Sequence, residues 1–388
     1  MSGRISDPCR PGRSHEKACS ELMRDRVRLM RDRVRGCLLG GALGDALGAG
    51  IEFQSLAEIR QEHGPAGVVR LTEAYGVHAP LTDDTQMTLF TAEGLIRASV
   101  RGRSKGIVDP PSVLWGAYRR WLTTQARTSP AGGASNHADG WLAAQPVLYA
   151  RRAPGNACLS GLRRDTMGTL AQPANPDSKG CGAVMRSAPF GLLGRGAETS
   201  FDHAVEGAVL THGHPTGYLA AGAFAWIIAT VLAGASIAEA ALSALGRLAA
   251  ERNGREVTAA LRAALSRAME GAPTPERVES LGGGWIAEEA LSIAVYCAVA
   301  APDDPRVALL AAVNHSGDSD STGAICGNLI GVAVGEQALP ADWVRELEGY
   351  ELVRQVADDL VTEFENTATV ADAFGAPTLS WAARYPGH

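Results

Sequence analysis

Lysine and aromatic residues are both scarce in this sequence. Lys17, Lys105 and Lys179 are the only lysines among 388 residues, and aromatic side chains make up 5% of the chain. The formal net charge is −6. Surfaces that bind nucleic acid usually combine clustered basic side chains with aromatic rings on which bases can stack. The negative net charge and the few aromatic residues therefore predict no nucleic-acid partner, while the replacement of lysine by arginine has no functional implication.

Closely spaced cysteines are absent as well. The seven cysteines are Cys9, Cys19, Cys37, Cys158, Cys181, Cys297 and Cys326, and no two of them form a CxxC pair. An odd number at such spacings argues against a disulfide framework or a structural zinc site, and favours a reducing compartment. The first residues also lack the continuous apolar segment of a signal peptide. We expect a cytoplasmic protein.

Long apolar runs are equally rare. Residues 219–236 form an uncharged run of 18 residues, which is near the lower limit for crossing a bilayer. The run is rich in alanine and glycine and stands alone in the sequence. We predict a buried central helix there, and no membrane partner.

Charge of alternating sign is concentrated in residues 1–35. The heptad LMRDRVR occupies residues 22–28 and is repeated at residues 29–35. Such a pattern is typical of a solvated helix or a frayed tail. We predict a charged N-terminal extension over residues 1–35, disordered or a frayed helix, followed by one domain at residues 36–388.

Helical spacing of apolar residues dominates from residue 36 onward, and 46% of the chain is hydrophobic, enough for a large core. Strand-like alternation is scarce, with residues 68–71 as a weak exception. We predict an all-α, compact single domain and a monomeric protein. The predicted helical segments are 82–100, 111–124, 201–210, 216–233, 237–251, 256–270, 286–300, 305–313 and 341–365, with long Gly/Pro-rich loops at 125–140, 152–182 and 271–284.

Glycine recurs every fourth residue in two places. The first series is Gly36, Gly40, Gly44 and Gly48, and the second is Gly323, Gly327, Gly331 and Gly335. Each series makes a bare stripe along a helix, although glycine costs about 1 kcal/mol per helical position relative to alanine. That cost makes sense where two backbones pack very closely. We predict that these two helices lie at the centre of the fold.

Two short acidic clusters, far apart in sequence, each place carboxylates and hydroxyls at a predicted helix start. The first is Thr82-Asp83-Asp84-Thr85, and the second is Asp318-Ser319-Asp320-Ser321-Thr322. Each cluster alone is also explained as a helix cap, because Thr82, Asp318 or Ser319 would satisfy free backbone N–H groups. Four carboxylates brought together would repel one another unless cations neutralised them. Hydroxyl and carboxylate oxygens suit hard cations, so the pair predicts a binuclear Mg²⁺ or Mn²⁺ site.

Several segments, in this order, resemble the ADP-ribosylglycohydrolase family, which includes ADP-ribosyl-arginine hydrolases and dinitrogenase-reductase activating glycohydrolases. The resemblance runs from about residue 33 to the end. The segments are GCLLGGALGDALGAGIEF (36–53), LTDDTQMTLF (81–90), RRAPGNACLSGL (151–162), SKGCGAVMRSAPFGLL (178–193), THGHPTG (211–217), GGGWIAEEAL (282–291), HSGDSDSTGAICGNLIGVAVG (315–335) and WAARYPG (381–387).

The resemblance implies an orthogonal helical bundle of the ADP-ribosylglycohydrolase type. It also implies two bound Mg²⁺ or Mn²⁺ ions. The ligands that it implies are Thr82, Asp83, Asp84, Asp318, Asp320 and Ser321.

Glu52 and Asp45 lie in and just before a glycine-rich segment after the first predicted helix. By itself, Glu52 is equally well explained as a solvent-facing residue at a helix end. The resemblance places it at the metal centre, as a ligand or as general base, with Asp84 as the next candidate base. For Asp45 we favour a structural role that ties helix starts together.

The resemblance assigns ADP-ribose contacts to Ser178, Gly180, Gly182 and His212. The segment 178–182 would cradle the diphosphate with backbone N–H groups, although on its own it is compatible with a simple turn. His212 would stack on adenine, whereas a hydrogen-bonded loop histidine is the alternative. His315 would only orient the second cluster.

The reaction implied is Mg²⁺-dependent hydrolysis of the bond between ADP-ribose and a modified side chain, most favourably arginine, by a domain at residues 36–388. The partner would be an ADP-ribosylated protein or a small ADP-ribose conjugate. Two alternatives stay open. One is another leaving group: serine-linked ADP-ribose, poly(ADP-ribose), O-acetyl-ADP-ribose or a nucleobase conjugate. The other is a non-catalytic ADP-ribose-binding relative.

Overall fold

Helices form nearly all of the regular structure in a computed structural model of the chain, which describes residues 13–130, 139–365, 367–372 and 375–387. This confirms the all-α prediction. The helices are α1 (Arg13–Gly48), α2 (Leu56–His63), α3 (Asp83–Lys105), α4 (Pro110–Ala126), α5 (Asn156–Leu162), α6 (Ala188–Gly191), α7 (Ala197–Ala208), α8 (Pro215–Leu232), α9 (Ile237–Ala249), α10 (Arg255–Ala268), α11 (Pro275–Glu279), α12 (Ala287–Ala300), α13 (Pro305–Val313), α14 (Ser319–Val334), α15 (Ala341–Glu346), α16 (Tyr350–Glu365) and α17 (Leu379–Arg384). Short 3-10 turns lie at Leu142–Ala144, Pro146–Leu148, Cys181–Ala183, Glu336–Ala338 and Thr367–Thr369. Two short antiparallel strands, β1 (Glu73–Ala74) and β2 (Val77–His78), form a hairpin.

The two glycine stripes face each other between α1 and α14. A methyl group on Gly40 would lie 2.2 Å from the carbonyl oxygen of Gly327, and one on Gly44 would lie 1.9 Å from that of Gly323. Both distances are far below van der Waals contact, so no larger side chain fits. The stripes therefore let two backbones touch at the centre of the fold, as predicted. Because the helices run together in this way, α1 ends where α14 begins.

Helix α1 crosses the predicted boundary between residues 35 and 36 without interruption. Val27 and Met30 pack against the core from this helix, and Val34 is fully buried. Residues 1–12 of the predicted extension lie outside the described residues. The division of the chain at residue 35 stays a prediction, while residues 27–34 contribute apolar contacts to the same core.

Helix α8 is the central helix predicted for the uncharged run. It is long and apolar enough to span a bilayer by composition, and 78% of that window is buried inside the fold. Among the described residues it is the one helix that passes this test. Its neighbours α7, α9, α12 and α14 cover it on several sides, which is the environment of a core helix.

The single helix predicted over residues 341–365 is wrong, because two helices stand there. The chain leaves α15 at Leu347, which is extended, and Gly349 adopts a left-handed conformation with φ of 68° before α16 starts. The break lets Glu348 reach across the fold. Its carboxylate accepts a hydrogen bond from the N–H of Leu81 and pairs with the guanidinium of Arg152. A tertiary contact therefore overrides the helical pattern.

The weak strand predicted at residues 68–71 is also wrong. The hairpin lies a few residues later, at β1 and β2. Val68 still has its backbone groups paired, but with the side-chain amide of Asn314, which accepts from Val68 N and donates to Val68 O. The side-chain amide of Asn314 thus makes the two hydrogen bonds that a neighbouring strand would make in a sheet. The sequence also failed to indicate α2, although Ser55 and Glu58 form a capping box at its start.

Candidate functional site

Asp45 holds the start of α3 against the end of α1. Its buried carboxylate accepts hydrogen bonds from the backbone N–H groups of Thr82 (3.0 Å) and Thr85 (3.2 Å), and from the Thr85 hydroxyl. These contacts use the free N–H groups that every helix start presents. The structural role expected for Asp45 is supported by this geometry, and the first acidic cluster is fixed as a result.

The first cluster combines a helix cap with two buried acid groups. The Thr82 hydroxyl accepts from Asp84 N at 3.3 Å, so Thr82 is the N-cap of α3. Asp83 accepts from the backbone N–H of Gly155 at 3.2 Å. Asp84 is 3% exposed, and its Oδ1 atom has no hydrogen-bond partner among the described residues. The start of α3 therefore leaves a buried carboxylate oxygen of Asp84 without a hydrogen-bond donor.

The second cluster is built at the start of α14. Asp318 is the N-cap, and both Asp318 and Asp320 accept from the N–H of Ser321, at 3.4 Å and 2.9 Å. Gly317 precedes them with φ of 137°, and a methyl group there would lie 2.0 Å from the carbonyl oxygen of Gly283. Only glycine allows the backbones at residues 317 and 283 to approach this closely. A hydrogen bond from the N–H of Asp318 to the carbonyl oxygen of Gly283 joins them.

Glu52 meets the second cluster in space. Glu52, Asp318 and Asp320 each offer a carboxylate oxygen, and these three oxygens all lie within 4.8 Å of one another. Glu52 follows the end of α1, and its Oε2 atom is buried without a partner among the described residues. Asp83 and Asp84 lie outside this tightest group but in the same pocket.

The pocket is a cleft of about 320 Å³. Every predicted site residue lines it except Thr82, which is fully buried. Within the described chain, no lysine or arginine is among the lining residues. They are Glu52, Phe53, Asp83, Asp84, Ala153, Pro154, Gly155, Asn156, Ala157, Ser178, Gly180, Cys181, Gly182, Met185, His212, Trp285, Asp318, Asp320 and Ser321.

Burial raises the pKa of every carboxyl group that lines this cleft. Burial is the largest cause for Glu52, whose pKa rises to about 9, and the charges of Asp318 and Asp83 add to it. Burial likewise raises the pKa values of Asp83, Asp84 and Asp320 well above the ordinary value. Without a compensating positive charge, part of this set must be protonated at neutral pH.

These residues fit a divalent cation. The unpartnered oxygens of Glu52 and Asp84 have room for a further ligand contact, and no basic side chain of the described lining competes for it. Oxygen donors alone favour Mg²⁺ or Mn²⁺ over Zn²⁺, which prefers nitrogen and sulfur ligands. Helix caps and cation ligands are compatible here, because the caps fix the direction of the carboxylates.

The segment 178–182 forms one wall of the cleft. Gly180 in this segment forms an isolated antiparallel β-bridge with Ile286. Beside it, the backbone N–H of Cys181 donates a hydrogen bond to the carbonyl oxygen of Trp285 at 3.2 Å. That N–H is therefore not free for a phosphate, in contrast to what the small-residue pattern suggested for the whole loop. Ser178, Gly180 and Gly182 all line the cleft as expected.

His212 lies behind this segment rather than on an open surface. The ring is 2% exposed, and Nδ1 shares a 2.8 Å hydrogen bond with the Thr211 hydroxyl. Burial is the main reason that its pKa falls to about 3, and the nearby Arg186 guanidinium contributes. His212 is therefore a neutral imidazole that contacts the cleft. His315 is also buried, and its Nε2 lies 2.9 Å from the Thr322 hydroxyl, which fixes the first turn of α14.

Three parts of the site were not predicted from the sequence. Residues 153–157 line the cleft between the two acidic clusters, with Gly155 bonded to Asp83. The exposed rings of Phe53 and Trp285 stack at 5.3 Å between centroids, and both line the cleft. Cys181 donates its thiol hydrogen to Asp318 at 2.8 Å.

Local signals for these residues were weak. The glycine and proline of the segment RRAPGNACLSGL marked a loop, and GGGW marked a turn, but neither indicates a contact with a distant carboxylate. Phe53 has φ of 72°, which no sequence pattern predicts for a non-glycine residue.

Comparison with known proteins adds a family match. Residues 26–370 match the family model described as ADP-ribosylglycohydrolase. The chain is 27% identical over 329 residues to the ADP-ribosyl-[dinitrogen reductase] glycohydrolase of Rhodospirillum rubrum, covering 82% of this chain and 91% of that protein. It is 25% identical over 372 residues to the human ADP-ribosylhydrolase ARH3, covering 86% and 94% of the two chains.

The fold is also found among solved structures. The chain matches an ADP-ribosylglycohydrolase-related protein complex with a TM-score of 0.61 and 24% identity, over 87% of this chain and 99% of the other. At that identity the match concerns the fold, and it agrees with the orthogonal helical bundle expected from the sequence.

Proposed function

The chain belongs to the ADP-ribosylglycohydrolase family, and we propose that it releases ADP-ribose from modified arginine side chains. Membership makes it an enzyme that hydrolyses the glycosyl bond of ADP-ribose conjugates. The identity of the leaving group is the proposal. The name of the Rhodospirillum rubrum relative gives an ADP-ribosylated protein as that enzyme's substrate, which supports a protein substrate here.

One observation carries the proposal of a catalytic centre: a buried cleft that is lined by five carboxyl groups and by no lysine or arginine among the described residues. Two carboxylate oxygens, on Glu52 and Asp84, lack any partner there. A binding protein for a dianionic diphosphate would gain nothing from uncompensated acids. Such a cleft is useful when it holds cations beside a bond that develops positive charge as it breaks.

Two divalent ions are proposed as cofactors, with Thr82, Asp83, Asp84, Asp318, Asp320 and Ser321 as the residues that would hold them. When bound, Mg²⁺ or Mn²⁺ would supply positive charge that neutralises the carboxylates and polarises oxygen ligands such as ribose hydroxyls. The chain itself contributes the direction of these ligands, because Asp83, Asp84, Asp318, Asp320 and Ser321 all sit at the fixed starts of α3 and α14.

Glu52 is the proposed general base. Its carboxylate accepts a proton from the attacking water, whose oxygen forms the new bond to C1″ of the ribose. The bond from C1″ to the guanidine nitrogen breaks, and its electron pair stays on that nitrogen, which takes a proton from solvent. Bound cations would lower the pKa of Glu52 from its raised value, which would favour the carboxylate form at neutral pH. Asp84 is the alternative base.

The wall formed by residues 178–182 and His212 is proposed to bind the rest of ADP-ribose. Gly180 and Gly182 line the cleft, where the diphosphate would lie, and adenine is proposed to reach the neutral ring of His212, which is 2% exposed behind this segment. The form GDSDST of the second cluster resembles arginine-directed members of the family, which favours arginine as the leaving group.

Substrate choice is tested by incubating the protein with arginine-, serine- and O-acetyl-linked ADP-ribose and with poly(ADP-ribose), each with Mg²⁺. Release of ADP-ribose is followed by chromatography. We expect the arginine conjugate to be cleaved fastest. Faster cleavage of another conjugate would mean that arginine is not the preferred leaving group. Binding of ADP-ribose without any cleavage would mean that the protein is a non-catalytic relative.

A further inference from the structure

A second cleft, of about 350 Å³, is lined in part by Arg151 and Arg163, which flank the residues 153–157 of the acidic cleft in sequence. It is formed by the last turns of α4, the loop at residue 151 and the end of α5. Its lining residues are Leu122, Thr123, Gln125, Ala126, Arg127, Arg151 and Arg163. Three of these are arginines and none is an acid, in a protein whose net charge is −6. The cleft is therefore a local concentration of positive charge.

None of the three guanidinium groups has a hydrogen-bond or ion-pair partner within the part of the chain that the structure describes. The next residue along the chain shows the contrast: Arg152 is 6% exposed, pairs with Glu348 and donates to Leu81 O. Arg152 is built into the fold, whereas Arg127, Arg151 and Arg163 keep their donors free. Arginine forks of this kind match carboxylates and phosphates.

Gln125 presents a hydrogen-bond acceptor to the cleft, whereas the arginines present donors. It is 6% exposed and lines the cleft, and its Nε2 donates to Gln86 Oε1 at 2.8 Å. Its Oε1 atom is buried and has no partner in the described structure. A ligand that satisfies the whole cleft must therefore offer acceptors to the guanidinium groups and an N–H to Gln125. A polypeptide with Asp or Glu side chains offers both.

The two clefts share a wall. Residues 153–157, which follow Arg151, line the acidic cleft, and Gly155 donates to Asp83. Helix α5 begins with Asn156, which lines the acidic cleft, and is followed directly by Arg163, which lines the basic one. A polypeptide in the basic cleft would thus lie beside the centre at which its ADP-ribose is cleaved.

We propose that Arg127, Arg151 and Arg163 bind an acidic segment of the ADP-ribosylated protein and so select macromolecular substrates. That the bound protein is the substrate rests on the proposed function, whereas the affinity for acidic peptide does not. The net charge of −6 disfavours binding of such a segment to the molecule in general, so the local positive charge of this cleft is what would attract it.

The test uses a fluorescent Glu-rich peptide and the same peptide with Gln in place of Glu. Anisotropy is measured with the full-length protein, with Arg151→Gln/Arg163→Gln, and with the control Arg255→Gln/Arg262→Gln. The control removes two exposed arginines that line another cleft. We expect the Glu peptide to bind the wild type and the Gln peptide not to bind. The Glu peptide should bind Arg151→Gln/Arg163→Gln about ten-fold more weakly, whereas the control variant should bind it as the wild type does. Binding should also weaken as salt is raised from about 50 to 300 mM.

Activity gives the second readout. Arg151→Gln/Arg163→Gln should lower kcat/KM for an ADP-ribosylated acidic protein, mainly through KM, and leave kcat/KM for ADP-ribosyl-arginine unchanged. Equal peptide binding by wild type and variant, or equal losses with both substrates, would overturn the proposal, since solvated or purely structural arginines give those results. If the Glu peptide binds as expected but no conjugate is cleaved, the acidic-peptide site stands and the proposed function fails.

Discussion

Single carboxylates decide whether the acidic clusters are caps or ligands. Asp84 and Asp320 are buried in a cleft without basic side chains among its described lining, and their pKa values are raised well above normal by burial. Asp304 offers the comparison, because it caps α13 through the N–H groups of Arg306 and Val307 and lies outside that cleft.

Replacing one of these acids by Asn should separate the two roles. We expect Asp83→Asn, Asp84→Asn and Asp320→Asn each to lower the rate by several orders of magnitude. In metal-free buffer they should raise the free energy of unfolding by about 1 kcal/mol, because a repelled buried acid is removed. Asp304→Asn should change neither, since Asn caps as well as Asp. Steady-state rates and urea unfolding check this. Loss of stability with full activity per folded molecule would favour the cap interpretation.

Glu52 is distinguished from these ligands by its expected effect on binding. We expect Glu52→Gln to lower kcat by about 10²–10⁴-fold while most of the affinity for Mg²⁺ and ADP-ribose is kept, because the amide cannot accept the proton of water. Calorimetric titration of ADP-ribose with and without Mg²⁺, beside rates for the same variant, measures both. A parallel fall in ion affinity would make Glu52 a ligand, and a wild-type rate would leave Asp84 as the base.

His212 gives a pH dependence of stability with a defined sign. Burial lowers its pKa to about 3 in the folded state, against about 6.5 in the unfolded chain. Below pH 6.5 the unfolded chain binds a proton that the folded protein excludes, so stability falls as the pH falls. From about pH 7.5 to 5.5, wild type should lose about 1 kcal/mol more than His212→Gln. Urea unfolding at both pH values checks this, and identical losses would show that the imidazole is not held neutral.

Among the contacts between helices, the packing of α1 on α14 is the one that the sequence indicated most directly. The four-residue spacing of glycine costs helical stability and is explained only by close approach of two backbones. The same pattern could not indicate where α15 ends, because the apolar spacing continues through residues 347–349. There, Glu348 is held by Leu81 and Arg152, which are distant in sequence. Local periodicity contains no record of such contacts.

Two glycine substitutions test this packing. A methyl group on Gly40 would lie 2.2 Å from Gly327 O, whereas one on Gly246 in α9 would meet nothing within 4 Å. We expect Gly40→Ala to lower the free energy of unfolding by about 1–3 kcal/mol through overpacking. Gly246→Ala should raise it by about 0.5–1 kcal/mol, as in an ordinary exposed helix. Chemical denaturation compares them, and a neutral Gly40→Ala would mean that the two backbones are further apart.

At the scale of the whole molecule, the sequence indicated the acidic centre but not its surroundings. Asp83, Asp84, Asp318 and Asp320 could be found because each pair is contiguous with a helix-start pattern. The basic cleft could not, since Arg127, Arg151 and Arg163 come from three separate segments and each alone is an unremarkable surface residue. The stacking of Phe53 on Trp285 depends in the same way on how the chain is folded.

The central claim is that this fold brings two acidic helix starts together to hold divalent cations for hydrolysis. It is tested most directly by the initial rate of ADP-ribose release from arginine-linked substrate by protein stripped with EDTA and then supplied with Mg²⁺, Mn²⁺ or neither. The account predicts no turnover in the stripped protein and recovery with either ion. Full activity in metal-free buffer would contradict it.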